Sequence, residues 1–196
     1  IFFSFVWYWK SLSLGFFADD FLALQVARDT SSWWSYLTTN IFSFRGSGSY
    51  GPVWNWIVEI QYRVFDIRPL GYHIVNLVLH ALNALLLMCI TTRVIPKKSI
   101  AWLAGLMFLV FVGHVEAVAW FAAQVHIVTV LLLLCSMWWY IRSIEMDSRR
   151  LYVLSLCFAI LAIFTKEVAV TIVILYPLVG LFVRVRHQRY ALSTAC

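Results

Sequence analysis

Gly71-Tyr72-His73-Ile74-Val75-Asn76-Leu77-Val78-Leu79-His80-Ala81-Leu82-Asn83-Ala84-Leu85-Leu86-Leu87-Met88-Cys89-Ile90-Thr91-Thr92 runs for about 22 residues without an Asp, Glu, Lys or Arg. As a helix it covers the ~30 Å hydrocarbon core of a bilayer. The rest of the chain has the same character. Of 196 residues, 63% are hydrophobic and 12% charged, where a soluble domain is about half apolar and a quarter charged. No water-soluble fold hides that much apolar surface, so the chain reads as an all-α, polytopic transmembrane helix bundle. Residues 1–196 form a single membrane domain, and the start inside an apolar run at Ile1 reads as a fragment of a longer one. No cleavable signal peptide pattern is present.

Upstream of this span, residues 1–17 read as a truncated first span interrupted by Lys10. Residues 18–70 read as the first extracytoplasmic loop, with interfacial helices. Trp33, Trp34 and Tyr36 mark one at headgroup level, residues 53–65 form another, and Arg45 to Pro52 is a turn-rich loop. Downstream, Ser99–Gly113 is apolar over only about 15 residues, too short to cross, so His114-Val115-Glu116 is expected inside a recess. Ala117–Tyr140 returns, and Leu151–Phe164 and Val168–Val183 form a hairpin that turns at Lys166-Glu167. Roughly six spans result.

The net charge of +6 reads as topology, with no nucleic acid implied. Arg93, Lys97, Lys98, Arg142, Arg149, Arg150, Arg184, Arg186 and Arg189 all fall on one side if each apolar run reverses, nine of the fifteen Lys and Arg residues. That side is cytoplasmic. Asp19-Asp20, Glu116 and Lys166-Glu167 fall on the other. Cys89, Cys135 and Cys157 lie in apolar runs and Cys196 ends the chain, which gives neither a disulfide framework nor metal-ligand spacing. A glycine-rich phosphate loop and a Gly-x-Ser-x-Gly elbow are both missing.

Each charged spot has two readings. Asp20 caps a short helix, or the paired carboxylates raise each other's pKa and one serves as a base. An intramembrane charge costs about 2.5–3.5 kcal/mol on insertion scales, so Glu116 has either a basic partner or a role in a site. Lys166 and Glu167 pair with other helices, or Lys166 holds a phosphate as a point charge. His73, Asn76, His80 and Asn83 share one stripe of the long span at spacings of three, four and three. They read as an interhelical hydrogen-bonding seam, with His73 best placed to reach a ligand.

Several short runs stand in a telling order. They are Phe17-Ala18-Asp19-Asp20, Tyr50-Gly51-Pro52, Pro69-Leu70-Gly71-Tyr72-His73 through His80, His114-Val115-Glu116-Ala117-Val118-Ala119-Trp120, and Thr165-Lys166-Glu167. In this order the chain resembles the membrane part of the transmembrane and tetratricopeptide-repeat O-mannosyltransferases and their prokaryotic relatives, within the GT-C glycosyltransferases. It departs from the family pattern at Phe111-Val112, where the pattern has His-Pro, and at Tyr50-Gly51-Pro52, where it has Tyr-Arg-Pro. It departs again at Gln124 and His126, where the pattern carries a basic residue and an Asp.

The resemblance implies transfer of a sugar from a polyprenyl-phosphate donor, and it carries the catalytic role onto Asp19 and Asp20. The expected mechanism has one of these as base toward an acceptor hydroxyl on a protein, glycan or lipid. Lys166 meets the leaving phosphate, with Glu167, His73 and His114 nearby as further binding groups. Glu116 orients the acceptor, or holds Mg²⁺ or Mn²⁺ together with Asp19. The expected setting is a bacterial plasma membrane, with the site extracytoplasmic and membrane lipid around it. A transporter or channel and a non-catalytic GT-C relative are the other readings.

Overall fold

The computed structural model describes residues 2–30, 32–38 and 50–194, the side chains of the last helix only to Val183. The turn-rich stretch from Arg45 to Ser49, the side chains of Arg184, Arg186 and Arg189, and Cys196 lie outside the described residues. Ten α-helices are described: α1 Phe2–Trp7, α2 Asp19–Asp29, α3 Ser35–Thr38, α4 Pro52–Phe65, α5 Pro69–Val94, α6 Lys98–Val110, α7 Val115–Ala119, α8 Gln124–Glu145, α9 Arg149–Ile163 and α10 Ile172–Thr194. No strand occurs among the described residues, as the all-α reading expects.

Proline starts α4 and α5. Its missing N–H costs nothing at a first helical turn, and its fixed φ is already helical. The first apolar run is helical only over α1 and a 3₁₀ turn at Trp9–Ser13, shorter than a span. Ser11 and Ser13 donate to the carbonyls of Tyr8 and Lys10, so their hydroxyls compete with continued helix.

Of the roughly six spans expected, the described residues contain two or three of full length. Among the described residues, α5 and α8 are long and apolar enough to cross a membrane. A third crossing arises if α6 and the Val112–Ala119 segment, bent by 47°, act as one. α9 has fifteen residues, and Glu167–Val183 is likewise a shorter apolar segment, with Pro177 inside α10.

The helices pack in three levels. One end holds Ala23, Leu24, Ala27, Trp54, Val58, Tyr72 and Phe121. The middle holds Tyr8, Leu77, Val118 and Ile127. The far end holds Ile90, Met137, Ile141, Ala159, Ile172 and Val183. At that far end Arg93 and Arg142 both reach Glu145, at 3.3 and 3.2 Å, and Arg93 lies over Trp138. α10 folds back along α8: Tyr176 stacks on Tyr140 at 4.2 Å and meets the Ser136 hydroxyl. The chain therefore reverses at Lys166, and Arg93, Arg142 and Arg149 share the end opposite Asp19, Glu116 and Lys166.

The α5 stripe is a seam of side chain to backbone bonds. His73 meets the Leu14 carbonyl at 3.1 Å, Asn76 donates to Val118 at 3.2 Å, His80 meets Leu109 at 3.1 Å and Asn83 donates to Ile127 at 3.0 Å. Leu109 and Val118 lie in the last turns of α6 and α7, where carbonyls lack an intrahelical partner. Away from water such groups must be met by protein, and the α5 side chains meet them. Gln124 extends the seam. It exchanges bonds with Gln61 at 2.7 and 3.2 Å and donates to Asn76 at 2.6 Å, tying α4, α5 and α8 together.

Candidate active site

Asp19 and Asp20 open α2 after a sharp bend. Ala18 has φ 49° and ψ −121°, a region that favours glycine and strains any other residue. The bend is held by Asp20, which is fully buried. Its carboxylate accepts the Phe17 N–H at 3.1 Å and the Ala122 N–H at 2.7 Å. Asp20 is therefore not the helix cap read from the sequence: it is the second residue of α2, Ala18 stands at the N-cap without a side-chain bond, and the carboxylate reaches back to a residue before the helix. The bond from Ala122 joins the start of α2 to the turn after α7, a hundred residues on, and Phe17 stacks on Trp120 across the same junction. Asp19 is turned the other way and is exposed.

The adjacent carboxylates therefore differ in kind. Burial pushes the Asp20 carboxyl above the ordinary carboxylate value, against the pull of the two N–H groups. The folded protein then holds a proton that the unfolded chain has released between those two values. The stability contribution of Asp20 is complete below the ordinary carboxylate pKa and is lost as pH rises through the raised one. In Asp20→Asn that pH dependence is expected to vanish. The amide accepts only one of the two N–H groups, so about 1–2 kcal/mol of stability is also expected to go. Thermal unfolding followed across the acid range reads both effects.

At the opposite wall, Tyr50-Gly51-Pro52 rests on Thr165-Lys166. Val53 N–H donates to the Phe164 carbonyl at 3.2 Å, and Tyr50 packs on Phe164. A Cβ on Gly51 would lie 2.6 Å from the Thr165 carbonyl oxygen, closer than backbone tolerates. Gly51→Ala is therefore expected to force the two segments apart at a cost of about 1–3 kcal/mol. A lowered melting temperature is the measurable result.

Between these walls lies a partly open cavity of about 250 Å³, near the lower end of small-molecule sites. Asp19, Glu116, His126, Thr165 and Lys166 line it, with Trp54 and Trp120 as apolar sides. Three charged positions far apart in sequence thus share one pocket. His126, in the first turn of α8, places Nε2 3.5 Å from Lys166 Nζ.

Four other candidates stand elsewhere. Asp20 is the strut just described. His73 is fully buried against Leu14. His114 Nδ1 donates to the Phe108 carbonyl, 2.9 Å away, and the ring packs among His80, Phe108 and Phe111. Glu167 is exposed at the start of the 3₁₀ turn Glu167–Thr171 and is absent from the cavity lining. For His73 and His114 the reason is local: each ring meets a backbone carbonyl left at the end of a helix inside the apolar core.

The sequence reading gave no role to His126, whose one signal was its place beyond Ala119-Trp120. It also passed over Glu59, nearly fully buried and paired with Arg63 at 2.6 Å. The i, i+4 spacing of opposite charges was the available sign. Among the described residues no group of three or more His, Cys, Asp or Glu side chains is set to hold a metal. Asp19 and Glu116 alone are a poor fit for a resident Mg²⁺ or Mn²⁺, which takes several oxygen ligands, so no step is routed through one.

No family model and no solved structure matches the chain. Curated proteins do. The fruit fly (Drosophila melanogaster) protein O-mannosyl-transferase Tmtc1 is 26% identical over 88% of this chain and 21% of its own length. Mouse (Mus musculus) protein O-mannosyl-transferase TMTC3 is 25% identical over 96% of this chain and 21% of its own. Human protein O-mannosyl-transferase TMTC1 is 26% identical over 82% and 18%. The chain spans about a fifth of the length of these relatives. All three are animal proteins, so they lend the expected bacterial membrane no support. Through nearly all of its length the chain is similar to the O-mannosyl-transferases that its ordered motifs resemble.

Proposed function

We propose that this chain forms the reaction centre of an integral membrane glycosyltransferase. It moves a sugar, mannose by the names of its relatives, from a polyprenyl-phosphate carrier to an acceptor hydroxyl on a protein or glycan. The single observation behind this reading is the cavity that Asp19, Glu116 and Lys166 share. It sits at the helix end opposite the basic residues, hence on the extracytoplasmic face by the positive-inside rule.

The chemistry divides between the walls. The donor phosphate lies toward Lys166, whose ammonium stabilises the charge that grows as the glycosidic bond breaks. The acceptor hydroxyl lies toward Asp19, and Glu116 orients it. The hydroxyl oxygen attacks the anomeric carbon from the face opposite the phosphate while an Asp19 oxygen takes its proton. The bond from the anomeric carbon to the phosphate oxygen breaks, its electron pair leaves with polyprenyl phosphate, and the product has inverted configuration. The leaving phosphate is a stable anion, so the site needs a cation there more than an acid. Trp54 and Trp120 offer flat apolar faces for the sugar ring and lipid stem.

The full-length protein containing this chain, reconstituted with polyprenyl mannosyl phosphate and a hydroxyl-bearing peptide, is expected to release polyprenyl phosphate in step with glycopeptide formation. Release no faster than in empty vesicles would refute the reading.

A further inference from the structure

The cavity contains a second nitrogen donor that the mechanism above leaves unused. His126 comes from the start of α8 and Lys166 from the break after α9, so two independently placed segments bring Nε2 and Nζ to 3.5 Å. Both line the pocket. At that separation the Lys166 ammonium donates to a neutral His126 Nε2, and the two nitrogens carry charge together only where an anion beside them offsets the repulsion. The carboxylates of Glu116 and Glu167 are within electrostatic reach of His126, yet neither is bonded to it. Glu116 is on the pocket wall and Glu167 is exposed outside it. The pair is thus open toward the cavity.

We propose that His126 and Lys166 form one two-pronged phosphate subsite, and that His126 sets how tightly the donor is held. The inference rests on the cavity being the sugar-phosphate site. A phosphate entering the cavity replaces the Lys166–His126 bond: one oxygen accepts from Lys166 Nζ, and another accepts from His126 Nε2 once the imidazole takes up a proton beside the anion. An imidazole is narrower than a guanidinium and makes one bond where arginine makes two. The same chemistry would serve a lipid headgroup or a free phosphate.

The test uses the full-length protein in nanodiscs and two probes: polyprenyl phosphate in the nanodisc lipid, and inorganic phosphate in solution. His126→Gln is expected to weaken binding about tenfold, the worth of one charge-assisted hydrogen bond, and to raise KM for the donor more than it lowers kcat. His126→Arg is expected to restore binding to the wild-type value or better, which a merely structural histidine would not allow. Tighter binding of the lipid phosphate assigns the subsite to the carrier, and equal binding assigns it to a free anion. Unchanged binding of both probes by His126→Gln overturns the proposal.

Asp19→Asn separates this inference from the reading it rests on, since it is expected to bind phosphate normally and transfer no sugar. A wild-type protein that binds phosphate through His126 but never transfers sugar would sink the transferase reading alone. Transfer that proceeds with an unchanged donor KM in His126→Gln would sink the subsite alone.

Discussion

Asp19→Asn is expected to slow sugar transfer about 10²–10⁴-fold, the usual contribution of a well-placed general base, while melting like the wild type. The expectation follows from the unequal surroundings of two neighbouring carboxylates. Asp19 faces the cavity and is exposed, so exchanging one oxygen for an amide removes the proton acceptor and little else. Asp20 is buried and bonded to two backbone N–H groups, so the same exchange there acts on stability first. Turnover and melting temperature measured for both variants form a two-by-two comparison. Full activity in Asp19→Asn, with loss in Asp20→Asn at an unchanged melting temperature, would reverse the assignment.

The largest expected loss of stability comes from Gln124→Leu. Gln124 is fully buried and holds Gln61 and Asn76 by three side-chain bonds. Leucine fills a similar volume but leaves the Gln61 amide and the Asn76 carbonyl oxygen without their partner. At about 1–3 kcal/mol for each buried polar group so stranded, the loss is about 2–5 kcal/mol. The double variant Gln61→Leu, Gln124→Leu is expected to regain part of this, because removing both partners strands fewer groups than removing one. Unfolding in detergent, followed by circular dichroism, measures both. A double variant that loses the sum of the two single effects would show that the amides act independently.

The parts of the fold that were legible in the sequence are those governed by local rules. The α5 span followed from an uncharged run of sufficient length, α4 from the helical reading of residues 53–65, and the reversal at Lys166 from the side on which the basic residues gather. The α5 seam was readable as well, because three-four-three spacing fixes a stripe on any helix. What the stripe touches was not readable. That depends on where α6 and α7 break, and an apolar run shows its length but not which carbonyls it strands. The meeting of Asp19, Glu116 and Lys166 rested on ordered motifs and on counting sides. His73 and His114 were misjudged because a histidine that covers a broken helix end has the same sequence signature as one that meets a ligand. Full-length spans are fewer among the described residues than composition suggested, because an apolar run can be split between two short helices, as it is between α6 and α7 by the bend at Phe111.

The shortness of α6 bears on the lipid around it. Its 13 residues extend ~20 Å along the axis, about 10 Å less than the hydrocarbon thickness. Acyl chains beside it must shorten to keep its polar ends wet, which draws the headgroups inward at a modest elastic cost. Local thinning of the bilayer is the expected consequence at the end of α6 that leads into Glu116, and under the proposed function it would let a lipid-linked donor bring its phosphate to the pocket without leaving its own leaflet.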